Sequence, residues 1–106
     1  MVSNTSSMTP EFRRFLKRLK KELRPTRVLL FGSRARGEHR RDSDYDLVVV
    51  SRKFLRVRWI WRAPMVFRLW DLPLDLDAIC LTPSEFRLRS KELSIVGIAA
   101  REGVVL

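Results

Sequence analysis

RVLLFGSRARGEHRRDSDYDLVVV, residues 27–50, decides the architecture. Arg27–Phe31 is an apolar run of strand length that stops at Gly32. Tyr45–Val50 is a second such run, rich in β-branched side chains. Between them stand a Gly-Ser pair, a basic loop with His39, and three aspartates within five residues. A glycine directly after a strand permits a tight turn and lets a ligand come close to the backbone. Ser33 adds a hydroxyl and an N–H, and a helical turn beginning there would aim several N–H groups outward. No Gly-Lys-Ser/Thr follows, so the turn is not a P-loop.

The aspartates carry the chemistry. Asp44 and Asp46 are two residues apart at the head of a strand and so share a face. Carboxylates this close repel, and one tends to keep its proton unless a cation lies between them. Oxygen-only donors suit Mg²⁺ or Mn²⁺. Asp42, His39, Arg40 and Arg41 read as solvated loop residues. Leu74–Leu81 is a third predicted strand, and its Leu/Asp alternation puts Asp75 and Asp77 on one face. If this strand lies beside the second, one of the two completes a three-carboxylate cluster. Such a cluster can hold two Mg²⁺ ions, one orienting a triphosphate and one activating an attacking hydroxyl. An exposed edge strand would produce the same alternation.

Working outward, Thr9-Pro10 reads as a helix start, and residues 1–8 as a frayed polar segment ahead of a domain over 9–106. Phe12, Phe15, Leu16, Leu19 and Leu23 fall at helical spacing on an otherwise basic helix that Pro25 stops. The crossover Arg52–Trp70 should carry a helix that Pro64 starts or kinks. It is more apolar than a half-buried helix needs, which points to core packing or subunit contact for Trp59, Trp61 and Trp70. Thr82-Pro83-Ser84-Glu85 reads as a capping box, with the helix continuing through Ile95–Ala100 to Gly103, and "VVL" as a closing strand. Alternating strands and helices make this an α/β or α+β domain.

The chain has 106 residues, enough for one domain with a packed core. Its single cysteine, Cys80, excludes an internal disulfide and a zinc-type cluster, and reads as a small buried apolar side chain. No apolar run approaches the ~20 residues of a membrane span, and a cytoplasmic protein is the expectation. The net charge of +10 implies an anionic partner: nucleotide phosphates, nucleic acid or an acidic protein.

Gly32-Ser33, ten intervening residues, then Asp44-x-Asp46 resembles the signature of the DNA polymerase β-type nucleotidyltransferase superfamily. The fuller string from Phe31 to Val50 is similar to its minimal prokaryotic members, the MNT proteins. In that group a later strand carries the third aspartate before a Leu-Thr-Pro-x-Glu-Phe run; "LDLDAICLTPSEF" matches and assigns it to Asp77. The ending "AAREGVVL" is similar too, so the resemblance covers residues 27–106.

The resemblance implies a small mixed β-sheet flanked by helices and transfer of a nucleoside monophosphate from an NTP to a hydroxyl, with loss of pyrophosphate. Asp44, Asp46 and Asp77 would be the catalytic Mg²⁺ ligands, with Asp77 also a candidate base. Gly32 and Ser33 would bind the triphosphate, and Arg34 and Arg36 its phosphates. MNT proteins commonly act as antitoxins that move AMP from ATP to a tyrosine of a HEPN-family RNase toxin. Larger relatives carry acceptor-gripping domains; fewer than 30 residues follow Asp77 here, so the acceptor site is expected to come largely from another chain. Inhibition by contact alone, transfer to a small hydroxylated molecule, and nucleic-acid binding are the alternatives, and the apolar crossover suggests an oligomer.

Overall fold

The computed structural model describes residues 8–38, 40 and 43–106. Of the segment 1–8 expected to fray, residues 1–7 lie outside these residues, as do the loop assignments of His39, Arg41 and Asp42; Met8 is half-buried and packs against the core.

Helix α1 (Pro10–Leu23) starts as expected: Thr9 caps it by accepting the Phe12 N–H at 3.1 Å, and Pro10 occupies the first turn. Its apolar stripe, Phe12, Phe15, Leu16, Leu19 and Leu23, is buried. Arg24 ends it in a left-handed conformation, and Pro25 follows. The buried Ser51 hydroxyl donates to the otherwise orphaned Leu23 carbonyl and accepts the Lys53 N–H at 3.1 Å. That bond ties the end of α1 to the end of the second strand.

Four strands form one mixed sheet in the order β3-β2-β1-β4. Strands β1 (Arg27–Phe31) and β2 (Tyr45–Val50) are antiparallel and have the predicted bounds. Strand β3 runs parallel to β2 and covers Leu76–Leu81, two residues shorter than the Leu/Asp alternation predicts. Asp75 therefore precedes the strand, its carbonyl accepting the Tyr45 N–H at 3.0 Å. Strand β4 (Val104–Val105) closes the other edge against β1, as the apolar ending foretold.

The sheet is covered on both faces. Alpha-helix α1 and the crossover helix α3 (Trp59–Phe67) pack on Val28, Leu30, Tyr45, Leu47 and Val49. The opposite face, with Leu29, Val48, Val50 and Leu81, receives Val96 and Ala99 of α5 (Ile95–Glu102). Leaving such side chains in water would cost about 1.5–3 kcal/mol each, so the two apolar faces fix the layer order.

Two open expectations resolve and one needs correction. Of the two places the sequence allowed for Pro64, it takes the one inside α3, removing the N–H that would bond the Ile60 carbonyl. The C-terminal region is two helices, α4 (Pro83–Arg89) and α5, because Ser94 caps a new helix by accepting the Gly97 N–H. The three tryptophans divide. Trp70 packs edge-on to Phe15 at 4.7 Å and donates its indole N–H to the Leu74 carbonyl, whereas Trp59 and Trp61 are 76% and 59% exposed.

Candidate active site

The turn after β1 is the short helix α2 (Ser33–Arg36), capped at its head by Gly32 and at its tail by Gly37. Gly32 has φ +76° and ψ −156°, a region open essentially to glycine alone. A second constraint acts there. A Cβ on Gly32 would lie 2.5 Å from Oδ2 of Asp46. The turn is thus packed backbone-first against a carboxylate, and only glycine fits on both counts.

Asp46 faces Phe31 across the β1–β2 ladder and Asp77 across the β2–β3 ladder, in register on both sides. Its carboxyl group is within hydrogen-bond reach of the Asp77 carboxyl. Burial first, then the neighbouring Asp77 and Asp44 charges, raise its pKa above the ordinary carboxylate value. Asp44, two residues earlier on the same face, is exposed. Asp77 is exposed as well, and Asp46 is half-buried. Asp75 is exposed and outside the ladder proper.

Among the described residues no three His, Cys, Asp or Glu side chains are gathered tightly enough to hold a metal ion by themselves. The donor chemistry nonetheless fits Mg²⁺. That ion keeps several waters and is usually bound through one or two carboxylates plus substrate phosphates. The Asp46–Asp77 pair supplies two such carboxylates whose mutual repulsion a dication would relieve.

The loop residues adopt distinct roles. Arg34 folds inward: Nε and Nη2 donate to the Ser43 carbonyl at 3.0 and 2.7 Å, and the guanidinium lies 3.8 Å over the Tyr45 ring. It therefore holds both neighbours of Asp44. Arg36 pairs with Glu38 at 2.7 Å on the surface. Ser33 begins α2, and its carbonyl accepts the Glu38 N–H at 3.0 Å. Arg40, whose N–H donates to the Ser43 hydroxyl at 2.8 Å, is exposed.

Residues 11–98 match the nucleotidyltransferase domain model. The chain belongs to that family. Nucleotidyl transfer is accordingly its general class of activity, and nucleotides with divalent metals are the family's general requirement. No curated protein matches the chain in sequence. Among solved structures, a protein from Sulfolobus solfataricus assigned as a nucleotidyltransferase is similar over 99% of this chain and 86% of its own, with a TM-score of 0.60 and 23% identity. BolA1 from Arabidopsis thaliana also has a TM-score of 0.60 and 23% identity, over 74% of this chain and 98% of its own. The BolA domain of SufE1 from Arabidopsis thaliana has the same TM-score at 19% identity, over 74% and 99%. At these identities the likenesses show the fold alone.

Two other features of this nucleotidyltransferase domain matter. Arg62, predicted only as part of an apolar crossover, is buried and bridges three elements: it donates to the Val57 carbonyl at 2.9 Å, the Cys80 carbonyl at 3.3 Å and Glu85 at 2.6 Å. Its contact with Glu85 holds that carboxyl below the ordinary value. Glu85 also completes the predicted capping box with Thr82. Cys80 packs against the larger core, and burial pushes its thiol up to about 12, which suits an inert side chain. Among the described residues no helix is long and apolar enough to cross a membrane.

Proposed function

We propose that this nucleotidyltransferase domain transfers AMP from ATP to a protein hydroxyl, a tyrosine of a HEPN-family RNase partner, and thereby acts as a cytoplasmic antitoxin. The observation that supports catalysis is the register match of Asp46 with Asp77, with Asp44 on the same face and Gly32 packed against Asp46. Asp44, Asp46 and Asp77 would hold Mg²⁺, which when bound neutralises phosphate charge and favours the deprotonated acceptor. The tyrosine oxygen attacks the α-phosphorus in line; the bond from that phosphorus to the bridging oxygen breaks and pyrophosphate leaves. Asp77, the more exposed of the pair, takes the phenolic proton. Gly32 and Ser33 line the approach of the triphosphate. Arg36, in an exposed pair with Glu38, can exchange that partner for a phosphate at little cost.

The exposed Trp59 and Trp61 favour a second reading, in which the domain silences its partner by contact alone. Incubation with labelled ATP, Mg²⁺ and the purified HEPN protein separates the two. Label on a partner tyrosine, lost in Asp46→Asn and Asp77→Asn, supports catalysis. Neutralisation of the toxin without label, undiminished in both variants, establishes contact alone and refutes the transfer.

A further inference from the structure

On the far side of β3 from the sheet lies an open groove of about 780 Å³ whose floor is the strand's outer edge, Ala78–Leu81. One wall is the first turn and a half of α3, with Trp59 and Ile60; the other is the corner between α4 and α5, with Ile95. Both walls mix polar with apolar side chains, and the apolar ones are wet. Trp59 is 76% exposed, Ile95 59%, and Leu93 on the corner 97%. Large apolar side chains gathered in this way mark a surface that is covered in use.

The floor says what covers it. Tyr45 donates to the Asp75 carbonyl and Ser51 to the Leu81 carbonyl, both at 3.0 Å. In a parallel ladder, residues 75, 77, 79 and 81 then spend their backbone groups on β2, and Leu76, Ala78 and Cys80 aim theirs into the groove. The Cys80 carbonyl takes a bond from Arg62 at 3.3 Å. The Ala78 N–H and carbonyl and the Cys80 N–H have no protein partner among the described residues. Repeating unpaired ladder groups between two such walls are satisfied by an extended backbone.

Shape and charge select among extended backbones. The edge is recessed between two walls, so two copies cannot bring their edges to the ~4.8 Å spacing of paired strands. Two chains of net charge +10 also repel. The groove is polarised along its length. Asp75 and Asp77 stand at the head of β3. Farther along, Arg62, Arg89, Glu85 and Glu92 line the groove, Glu85 is already occupied by Arg62, and exposed Arg58 caps α3 next to Trp59. Residues 47–70 contain six Lys or Arg and no acid: Arg52, Lys53, Arg56, Arg58, Arg62 and Arg68.

We propose that the outer edge of β3 is a strand-addition site for one extended segment of an acidic partner protein, apolar at the positions facing Trp59 and Ile95 and carrying carboxylates where it passes Arg58 and Arg89. This inference stands independently of the nucleotidyl reaction. The groove and the aspartates share β3, so an added strand also stiffens the element that carries Asp77.

The test uses the full chain and two synthetic peptides with the same alternating Val/Thr core, one flanked by Asp and one by Lys. Amide NMR of Ala78 and Cys80 and the Trp59 indole signal report binding. The Asp-flanked peptide saturates these shifts at least roughly tenfold more tightly than the Lys-flanked one, and Arg58→Glu with Arg89→Glu inverts the preference. Methylating the peptide nitrogens that face the edge abolishes binding, and Trp59→Ser weakens it without altering the thermal midpoint. Absence of saturation by either peptide overturns the proposal. So does unimpaired binding of the methylated peptide, or a concentration-dependent dimer that produces the same shifts without peptide.

Discussion

Replacing Gly32 with alanine isolates the contact on which the site depends. Gly37 provides the control. Both glycines have positive φ, +76° and +74°, but the space around them differs. A Cβ on Gly37 meets nothing within 4 Å, whereas one on Gly32 lies 2.5 Å from Asp46 Oδ2. Gly37 is in the left-handed helical region, where an L-residue costs roughly 1–2 kcal/mol. Gly32, at ψ −156°, is in the region that costs about 1–3 kcal/mol for other residues. Displacing the Asp46 carboxyl off its rotamer adds about 1 kcal/mol. We expect Gly32→Ala to lose about 3 kcal/mol and Gly37→Ala about 1 kcal/mol, a gap near 2 kcal/mol in urea unfolding. For a chain of this size Gly32→Ala should lower the melting midpoint by roughly 10–20 °C. Asp46→Ala removes the obstructing oxygen, so the double variant with Gly32→Ala should recover about 1 kcal/mol relative to additivity. Nucleotidyl transfer by folded Gly32→Ala should fall by about 10²-fold, since an ångström of misplacement has that scale of effect. Equal stabilities of the two alanine variants, together with an additive double variant, would refute the packing of the turn against Asp46.

Other outcomes follow from the charges. Arg62→Met leaves the Val57 and Cys80 carbonyls without that donor and should cost about 2 kcal/mol in calorimetry; Glu85, 39% exposed at its side chain, can rehydrate, which keeps the loss near the low end for a buried pair. Because Glu85 is held below its ordinary value of 4.5, its contribution is complete above that pH and is lost as pH falls through the lowered folded value; Glu85→Gln should flatten this acid limb of a stability–pH curve. Asp46 has the opposite sign: its raised value means the folded state gains stability as pH falls through it, and near neutrality a dication should replace the missing proton. With 10 mM Mg²⁺ and a Kd near 1 mM the gain is about 1.4 kcal/mol, a rise of several degrees in melting that should vanish in Asp46→Asn; an unchanged wild-type midpoint would exclude the ion site. Cys80, with its thiol raised from 9.0 to about 12, should alkylate on the order of a thousandfold more slowly than a free cysteine at pH 8, and fast labelling would show that its packing opens.

What the sequence discloses and what it hides divide along one physical line. Strands β1 and β2 are spelled out by local apolar runs, and the starts of α1 and α4 by Thr-Pro pairs whose capping bonds span three residues. The inward turn of Arg34 onto Tyr45 and Ser43 joins residues nine to eleven apart, and the Arg62–Glu85 bridge joins residues 23 apart. No periodicity encodes either. Helix α3 is apolar on every side, so its pattern cannot say that Trp59 and Trp61 face water while Val66 is buried. The break before α5 is equally hidden: Gly97 is required because the Glu92 carbonyl folds back onto it, a contact visible only in three dimensions. The aspartate site lies between these cases. The faces of Asp44, Asp46 and Asp77 follow from a two-residue period, but their meeting depends on the offset between β2 and β3. The Tyr45–Asp75 bond sets that offset and brings Asp46 level with Asp77. Slipping β3 by one residue would turn Asp77 toward α1 and α3 and bring Leu76 level with Asp46. That slip would also carry Ile79 and Leu81 out of the core they share with Val48 and Val96. Burial of those apolar side chains thus enforces the register, and the register places the two carboxylates together.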